Sequence, residues 1–254
     1  MRLLSHLVWW DMVSLYFGSW AGLLWNFVLP AVVILAYLAI FELTPGFRFG
    51  GGREVVGGFG INLVAGLIPW MLFQEGVSRA SSAFIDNRHV LSQIPLPAPL
   101  FPLANVGSAL VRHVVALGLF AAILIWSGLT PTKLWLMVPV LAVPLLLLTA
   151  GCALVFACLT VLSRDVAPTV GVAMLPLFFG TPIIYPTYMV PETLRMLMDL
   201  NPLSGVVVAY RDVLITGRMP MPGPVLYSFG VGALLVLLGV VLVRRIGPEL
   251  AERL

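Results

Sequence analysis

The sequence predicts an all-α, polytopic membrane protein, and three observations carry that expectation. Charged residues make up 10% of the 254 positions and hydrophobic ones 60%. Mean hydropathy is +1.05. The charges fall in short gaps between apolar runs of about 20 residues, the length a helix needs to cross the hydrocarbon layer. A water-soluble chain of this size needs a polar face on most of its helices, and this one has too few polar residues to supply it. The whole of 1–254 therefore reads as a single membrane domain.

The net charge of +3 comes from a small excess of Arg. Without a basic stripe or aromatic–basic interleaving it excludes nucleic acid as a partner, and it suits loops facing an anionic lipid surface. Cys152 and Cys158 share one apolar run but point to different helix faces, so they read as small core hydrophobes rather than a bonded pair. Arg2 is the sole early basic residue, and no small-residue cleavage pattern follows, which argues against a signal peptide.

In chain order, residues 1–20 read as an interfacial helix. Ser5, His6, Asp11 and Ser14 interrupt it, and Trp9, Trp10, Tyr16 and Trp20 suit the headgroup zone. The first span is Leu23 to Phe41, closed by Thr44-Pro45-Gly46, and the second Ile61 to Phe73, extended at both ends to reach across, with Pro69 expected to kink it. Between Gln74 and Pro99 lies a polar stretch in which Ser81 and Ser82 can cap one short helix, stopped by Pro95, Pro97 and Pro99.

The third span is Pro102 to Trp126, and the fourth Leu134 to Leu162, long enough to tilt or to kink at Pro139 and Pro144. After the break Ser163-Arg164-Asp165 comes a fifth span, Val166 to Ile184. Residues 185–205 hold a short amphipathic helix, Val190 to Leu200, with Leu194, Leu197 and Met198 on one side, then an apolar piece too short to cross, the pattern of re-entrant helices. The sixth span is Pro224 to Val243, ended by Arg244-Arg245. Six spans put both termini on one side. The loop charges nearly balance, with Arg79, Arg88, Arg164, Arg244 and Arg245 against Arg48, Arg53, Lys133, Arg195, Arg211 and Arg218, so they leave the orientation open. The halves show no internal repeat of the kind that builds many secondary transporters.

Several chemistries are absent. Lys133, the single lysine, does not follow a Gly-rich phosphate loop, so no Walker motif can hold ATP. His6, His89 and His113 are scattered, there is no Gly-x-Ser-x-Gly elbow, and no carboxylate pair sits inside a span. Energised transport by this chain therefore needs its energy from a partner.

Short motifs recur in a telling order: Trp20-Ala21-Gly22-Leu23-Leu24-Trp25 then Pro30; Pro69-Trp70; Asn87 to Pro102; Ser163-Arg164-Asp165-Val166; Thr181-Pro182-Ile183-Ile184-Tyr185-Pro186; Val190-Pro191; Asn201-Pro202-Leu203; Tyr210-Arg211. Together they resemble the membrane subunits of ABC-2-type exporters of bacterial polysaccharides, the O-antigen, capsule and teichoic acid permeases. The resemblance implies a homodimer joined to two copies of a nucleotide-binding ATPase subunit. ATP and Mg would bind that partner, with no cofactor in this chain. It further implies six spans in the bacterial inner membrane with both termini cytoplasmic, and a lipid-diphosphate-linked glycan as cargo. The chain departs from the family near its start, where Asp11 to Phe17 lacks the usual basic residues.

Candidate roles follow. Residues 81–93 form a candidate coupling helix, with Phe84, Ile85 and Leu91 as anchors on the ATPase and Asp86 and Arg88 setting register; the alternative is a solvated loop helix. Arg164 and Asp165 touch the ATPase or clamp the neighbouring spans, or simply form a solvated turn. Tyr185 and Tyr188 stack on sugar rings at an outer gate, or belong to the aromatic belt. Arg112 lies about 15 Å into the third span at 1.5 Å per residue. There it contacts the cargo's diphosphate, pairs with Glu75, or snorkels to the interface. The rival functions are an ABC-2 permease for a small drug or lipid, and a membrane-embedded enzyme acting on lipid intermediates. The latter needs a catalytic cluster that the sequence does not supply, so the chain reads as a non-enzyme.

Overall fold

A computed structural model describes residues 2–14, 19, 22–43, 58–93, 96–184 and 190–253. Among them every regular element is helical. The helices are α1 (Arg2–Ser14), α2 (Trp25–Leu43), α3 (Gly58–Ala80), α4 (Ala83–Asp86), α5 (Arg88–Gln93), α6 (Leu100–Trp126), α7 (Val138–Leu162), α8 (Val166–Phe179), α9 (Glu192–Leu200), α10 (Pro202–Arg211) and α11 (Pro222–Arg253). Short 3₁₀ turns precede α2 and α7, and a π-helical turn, Asp212–Thr216, follows α10.

Four helical stretches are long and apolar enough to cross a bilayer: Gly22–Phe41, Leu100–Trp126, Lys133–Leu162 and Pro222–Ile246. They match the first, third, fourth and sixth expected spans. The other two differ for separate reasons. α3 has 23 residues but carries Gln74, Glu75 and Arg79 near its end. α8 has 14 residues, about 21 Å at 1.5 Å per residue, short of the hydrocarbon thickness. α9 and α10 have 9 and 10 residues, and each is likewise too short to cross.

α3 is the axis of the packing. Between Gly60 and Phe73 every residue except Asn62 and Met71 is buried, because α2, α6, α7, α8 and α10 all pack against it. That explains how a segment with polar residues sits at the centre: its neighbours, rather than lipid, meet its surface. α11 packs along α7, while α2 leaves Phe27, Leu29, Val32, Leu35 and Ile40 exposed, an apolar face open to lipid or another chain.

α1, expected along the membrane surface, packs on α6, and two other local expectations change. Arg79 Nη2 and Asn105 Nδ2 donate to Asp11 Oδ1 at 2.7 and 2.8 Å, and Ser108 Oγ donates to the Val8 carbonyl at 3.3 Å. The coupling segment is two helices broken at Asn87 rather than one. Ser81 and Ser82 do not cap it: Ser81 Oγ donates to the Ser78 carbonyl and Ser82 Oγ to Asp86 Oδ2. In α9, Met198 is buried but Leu197 is 64% exposed, because α10 follows at once after Asn201 and covers one strip of the helix.

Candidate functional site

The polar centre of the molecule lies where α2, α3 and α6 meet. α6 carries Arg112 and His113, which are 5% and 3% exposed. Arg112 Nη1 donates to Asn26 Oδ1 at 2.7 Å, and Nη2 stands 2.6 Å from Glu75 Oε1 on α3. Asn26 Nδ2 donates to the Leu23 carbonyl, which fixes its oxygen toward Arg112. Arg112 Nε has no hydrogen-bond partner among the described residues. An orphaned buried donor costs about 1–3 kcal/mol, and removing one member of a buried ion pair costs about 3–5 kcal/mol. The pairing with Glu75 that the sequence offered is therefore what the chain adopts.

Beside this pair lies a crevice of about 140 Å³, lined by Leu29, Pro30, Val33, Met71, Leu72, Glu75, Ala109, Arg112, His113 and Ala116. His113 forms its back wall. Its Nδ1 lies 3.3 Å from the Ile68 carbonyl and its Nε2 3.1 Å from Tyr210 Oη. With the proton on Nδ1, the ring donates to the carbonyl and accepts from the tyrosine, so both nitrogens are satisfied. The imidazole thus ties α6 to α3 and α10 and leaves no donor for the crevice.

A second, half-buried cation sits at the end of α10. Arg211 Nε donates to the Asn62 carbonyl at 2.9 Å, Nη1 to the Pro182 carbonyl at 2.6 Å, and Nη2 to the Ile183 carbonyl. Three backbone oxygens from two segments meet one planar fork, a geometry lysine cannot copy. Asn201 adds a second tie to the same turn, donating from Nδ2 to Thr181 Oγ1 at 2.9 Å. Together they hold residues 180–184, which lead into the candidate gate. Tyr185 and Tyr188 themselves lie outside the described residues.

On the coupling segment, Phe84 is fully buried. It packs with Leu154, Ala157, Cys158, Val243 and Ile246, and Leu91 leans on the same cluster. The Phe84 side chain faces the chain's own core and does not project outward as an anchor, while Leu91 stays half-buried at the edge of the cluster. Ile85 is half-buried, while Asp86, Arg88, His89 and Val90 are exposed. Arg164 and Asp165 form an exposed turn between α7 and α8. No group of three or more His, Cys, Asp or Glu among the described residues could hold a metal ion.

Sequence reasoning found Arg112 and Glu75 but passed over Asn26, His113 and the Asp11–Arg79 pair. The signal was available: Asn26 and His113 are polar residues inside apolar runs, where such residues mark partners or pathways.

Comparison with known proteins identifies the family. The family described as "ABC-2 type transporter" matches residues 3–215. An O-antigen export system permease protein RfbA of Myxococcus xanthus is 28% identical over 236 residues, 92% of this chain and 88% of the relative. One from Klebsiella pneumoniae is 26% identical over 210 residues, 82% of this chain and 78% of the relative. With most of its length matched and its helices arranged as a membrane domain, the chain belongs to the ABC-2 type transporter family.

Proposed function

We propose that this chain is the permease subunit of an exporter that moves a lipid-linked polysaccharide of the O-antigen kind across the bacterial inner membrane. The energy comes from ATP hydrolysed, with Mg, on a separate subunit. The observation that carries this reading is the match to O-antigen permeases across 92% of the chain, which spans the helices around the Arg112 site. The absence of a phosphate loop in the sequence agrees with a motor supplied in trans. α3 and α8 complete six spans, α8 together with residues 180–184, and both termini face the cytoplasm. Two copies form the conduit, and the exposed apolar faces of the helices are available to lipid and to the second copy.

In the cycle, the lipid diphosphate enters from the cytoplasmic leaflet. Closure of the ATPase pair pushes residues 81–93. Asp86, Arg88 and Val90 meet the ATPase, and Phe84 transmits the push to α7 and α11 through the cluster it fills. Arg164 and Asp165 lie on the same side and add a second contact. The glycan threads between the two copies past residues 185–205, with Tyr185 and Tyr188 stacking on sugar rings, while the lipid stays in the bilayer.

The test is reconstitution with a partner ATPase subunit in proteoliposomes holding a defined lipid-linked glycan. ATP-dependent arrival of the glycan at the far face, read by a lectin, is expected. Export without nucleotide hydrolysis, or an ATPase that never copurifies, would overturn the reading.

A further inference from the structure

We infer that the crevice between α2, α3 and α6 is a binding site for a phosphate-headed lipid, with Arg112 as the anion ligand and Glu75 as its displaceable counter-ion. The inference rests on the export reading and names the part of the cargo that this crevice takes.

The crevice is amphiphilic. Leu29, Pro30, Val33 and Met71 line it with hydrocarbon, and the Arg112–Glu75 pair closes one end. A purely polar anion gains nothing from that lining, and an uncharged lipid gains nothing from the guanidinium. A lipid whose head is a phosphate or diphosphate meets both. Size points the same way. At about 140 Å³ the space is below the several hundred Å³ typical of sites that enclose whole organic ligands. It admits a headgroup and the start of a chain, not a glycan.

Arg112 is ready for a further acceptor. Its side chain is 6% exposed, yet Nε has no partner and Nη2 faces Glu75 without hydrogen-bond geometry. Phosphate oxygens suit such a fork, since a guanidinium binds them through two parallel N–H groups. Glu75 is 33% exposed, so it can swing toward water when an anion arrives, whereas Asn26 stays as the neutral second partner. Ser108 Oγ donates to the Val8 carbonyl of α1, so Arg112 lies about one helical turn along α6 from the contact with α1. Between Leu3 and Phe17 the sequence offers no Lys or Arg, and the Arg79 guanidinium beside α1 is engaged by Asp11, so Arg112 is the guanidinium that lines the crevice.

The test uses the purified complex of this chain with its ATPase and radiolabelled farnesyl diphosphate, with farnesol and inorganic pyrophosphate as competitors. The wild type is expected to bind farnesyl diphosphate at least about tenfold tighter than either competitor. Arg112→Gln should erase that preference. Glu75→Gln should strengthen diphosphate binding by about threefold or more, because it removes the competing carboxylate. Leu29→Trp, which fills the mouth without touching the charges, should weaken binding at unchanged thermal stability, and it carries the test if Arg112→Gln does not fold. An unchanged preference in Arg112→Gln, weaker binding in Glu75→Gln, or pyrophosphate competing as well as the lipid would overturn the inference. If the wild type exports glycan while these binding results fail, the crevice is wrong and the export reading stands. If the wild type exports nothing, the export reading fails whatever the crevice binds.

Discussion

The guanidinium of Arg211 lies flat against Gly66, where a Cβ would stand 2.8 Å from Nη2 and 3.2 Å from Nε. A long side chain can usually step aside from such an intrusion. Arg211 cannot do so cheaply, because its three nitrogens are held by the carbonyls of Asn62, Pro182 and Ile183. Gly66→Ala is therefore expected to destabilise the protein by about 1–3 kcal/mol, the range for overpacking a tight contact. Arg211→Lys keeps the charge but loses the fork, and a loss of about 2 kcal/mol is expected from the charge-assisted bonds it cannot replace. Thermal unfolding of the detergent-purified protein reads both. If the double variant is no worse than the single ones, the two residues act through one contact.

Glycines on α11 separate packing from propensity. A Cβ on Gly239 would stand 2.6 Å from Leu154 Cβ, whereas one on Gly230 meets nothing within 4 Å. Both lie inside the same helix, so Gly→Ala gains each about 0.5–1 kcal/mol of helix propensity. Gly230→Ala should show that gain as a small rise in unfolding temperature. Gly239→Ala should instead lower it, because close backbone approach through small residues is what binds helices inside a bilayer. A rise in both would mean that α7 and α11 part readily at this level.

These contrasts show what the sequence could and could not reveal. Apolar runs exposed α2, α6, α7 and α11, since a lipid-facing helix must be greasy along its length. α3 was legible as a helix that had to extend past Ile61 and Phe73 to reach across, and it does, over Gly58–Ala80; how far its polar last turns run could not be read, because hydropathy gives no signal there. Arg112 stood out as a charge in a hydrophobic run, and Glu75 could be named as its partner. Phe84 was misread for the opposite reason. An aromatic among polar neighbours looks like an exposed anchor, and only the fold reveals the pocket between α7 and α11 that it fills. The docking of α1 through Asp11 was invisible because both partners are nearly 70 or more positions away, Arg79 by 68 and Asn105 by 94.

The burial of Phe84 divides the coupling segment into a part that folds and a part that signals. Phe84→Ala empties a site with no solvent exposure and is expected to cost about 3–5 kcal/mol, seen as a lower unfolding temperature. Arg88 is exposed on α5, so Arg88→Glu should leave the unfolding temperature within about 0.5 kcal/mol of wild type in stability terms. It should nevertheless reduce copurification of the ATPase and the coupling of hydrolysis to export. An Arg88→Glu complex that assembles and exports normally would remove α5 from the interface.

Asp11 decides whether α1 is a docked part of the bundle or a helix resting on it. An ideal Cβ on Gly107 stands 3.6 Å from Val8 Cβ, within the span that a disulfide bridges. Val8→Cys with Gly107→Cys, in a chain whose Cys152 and Cys158 are replaced, should therefore cross-link readily in membranes. Asp11→Ala removes the acceptor shared by Arg79 and Asn105 and leaves both donors without it. Orphaning them costs about 1–3 kcal/mol, and a loss of about 1.4 kcal/mol shifts the docked-to-undocked ratio tenfold. The cross-link yield should fall accordingly, and Asp11→Asn, which keeps one neutral acceptor, should lie between. A yield unchanged by Asp11→Ala would mean that the apolar side of α1 holds the helix without help from the carboxylate.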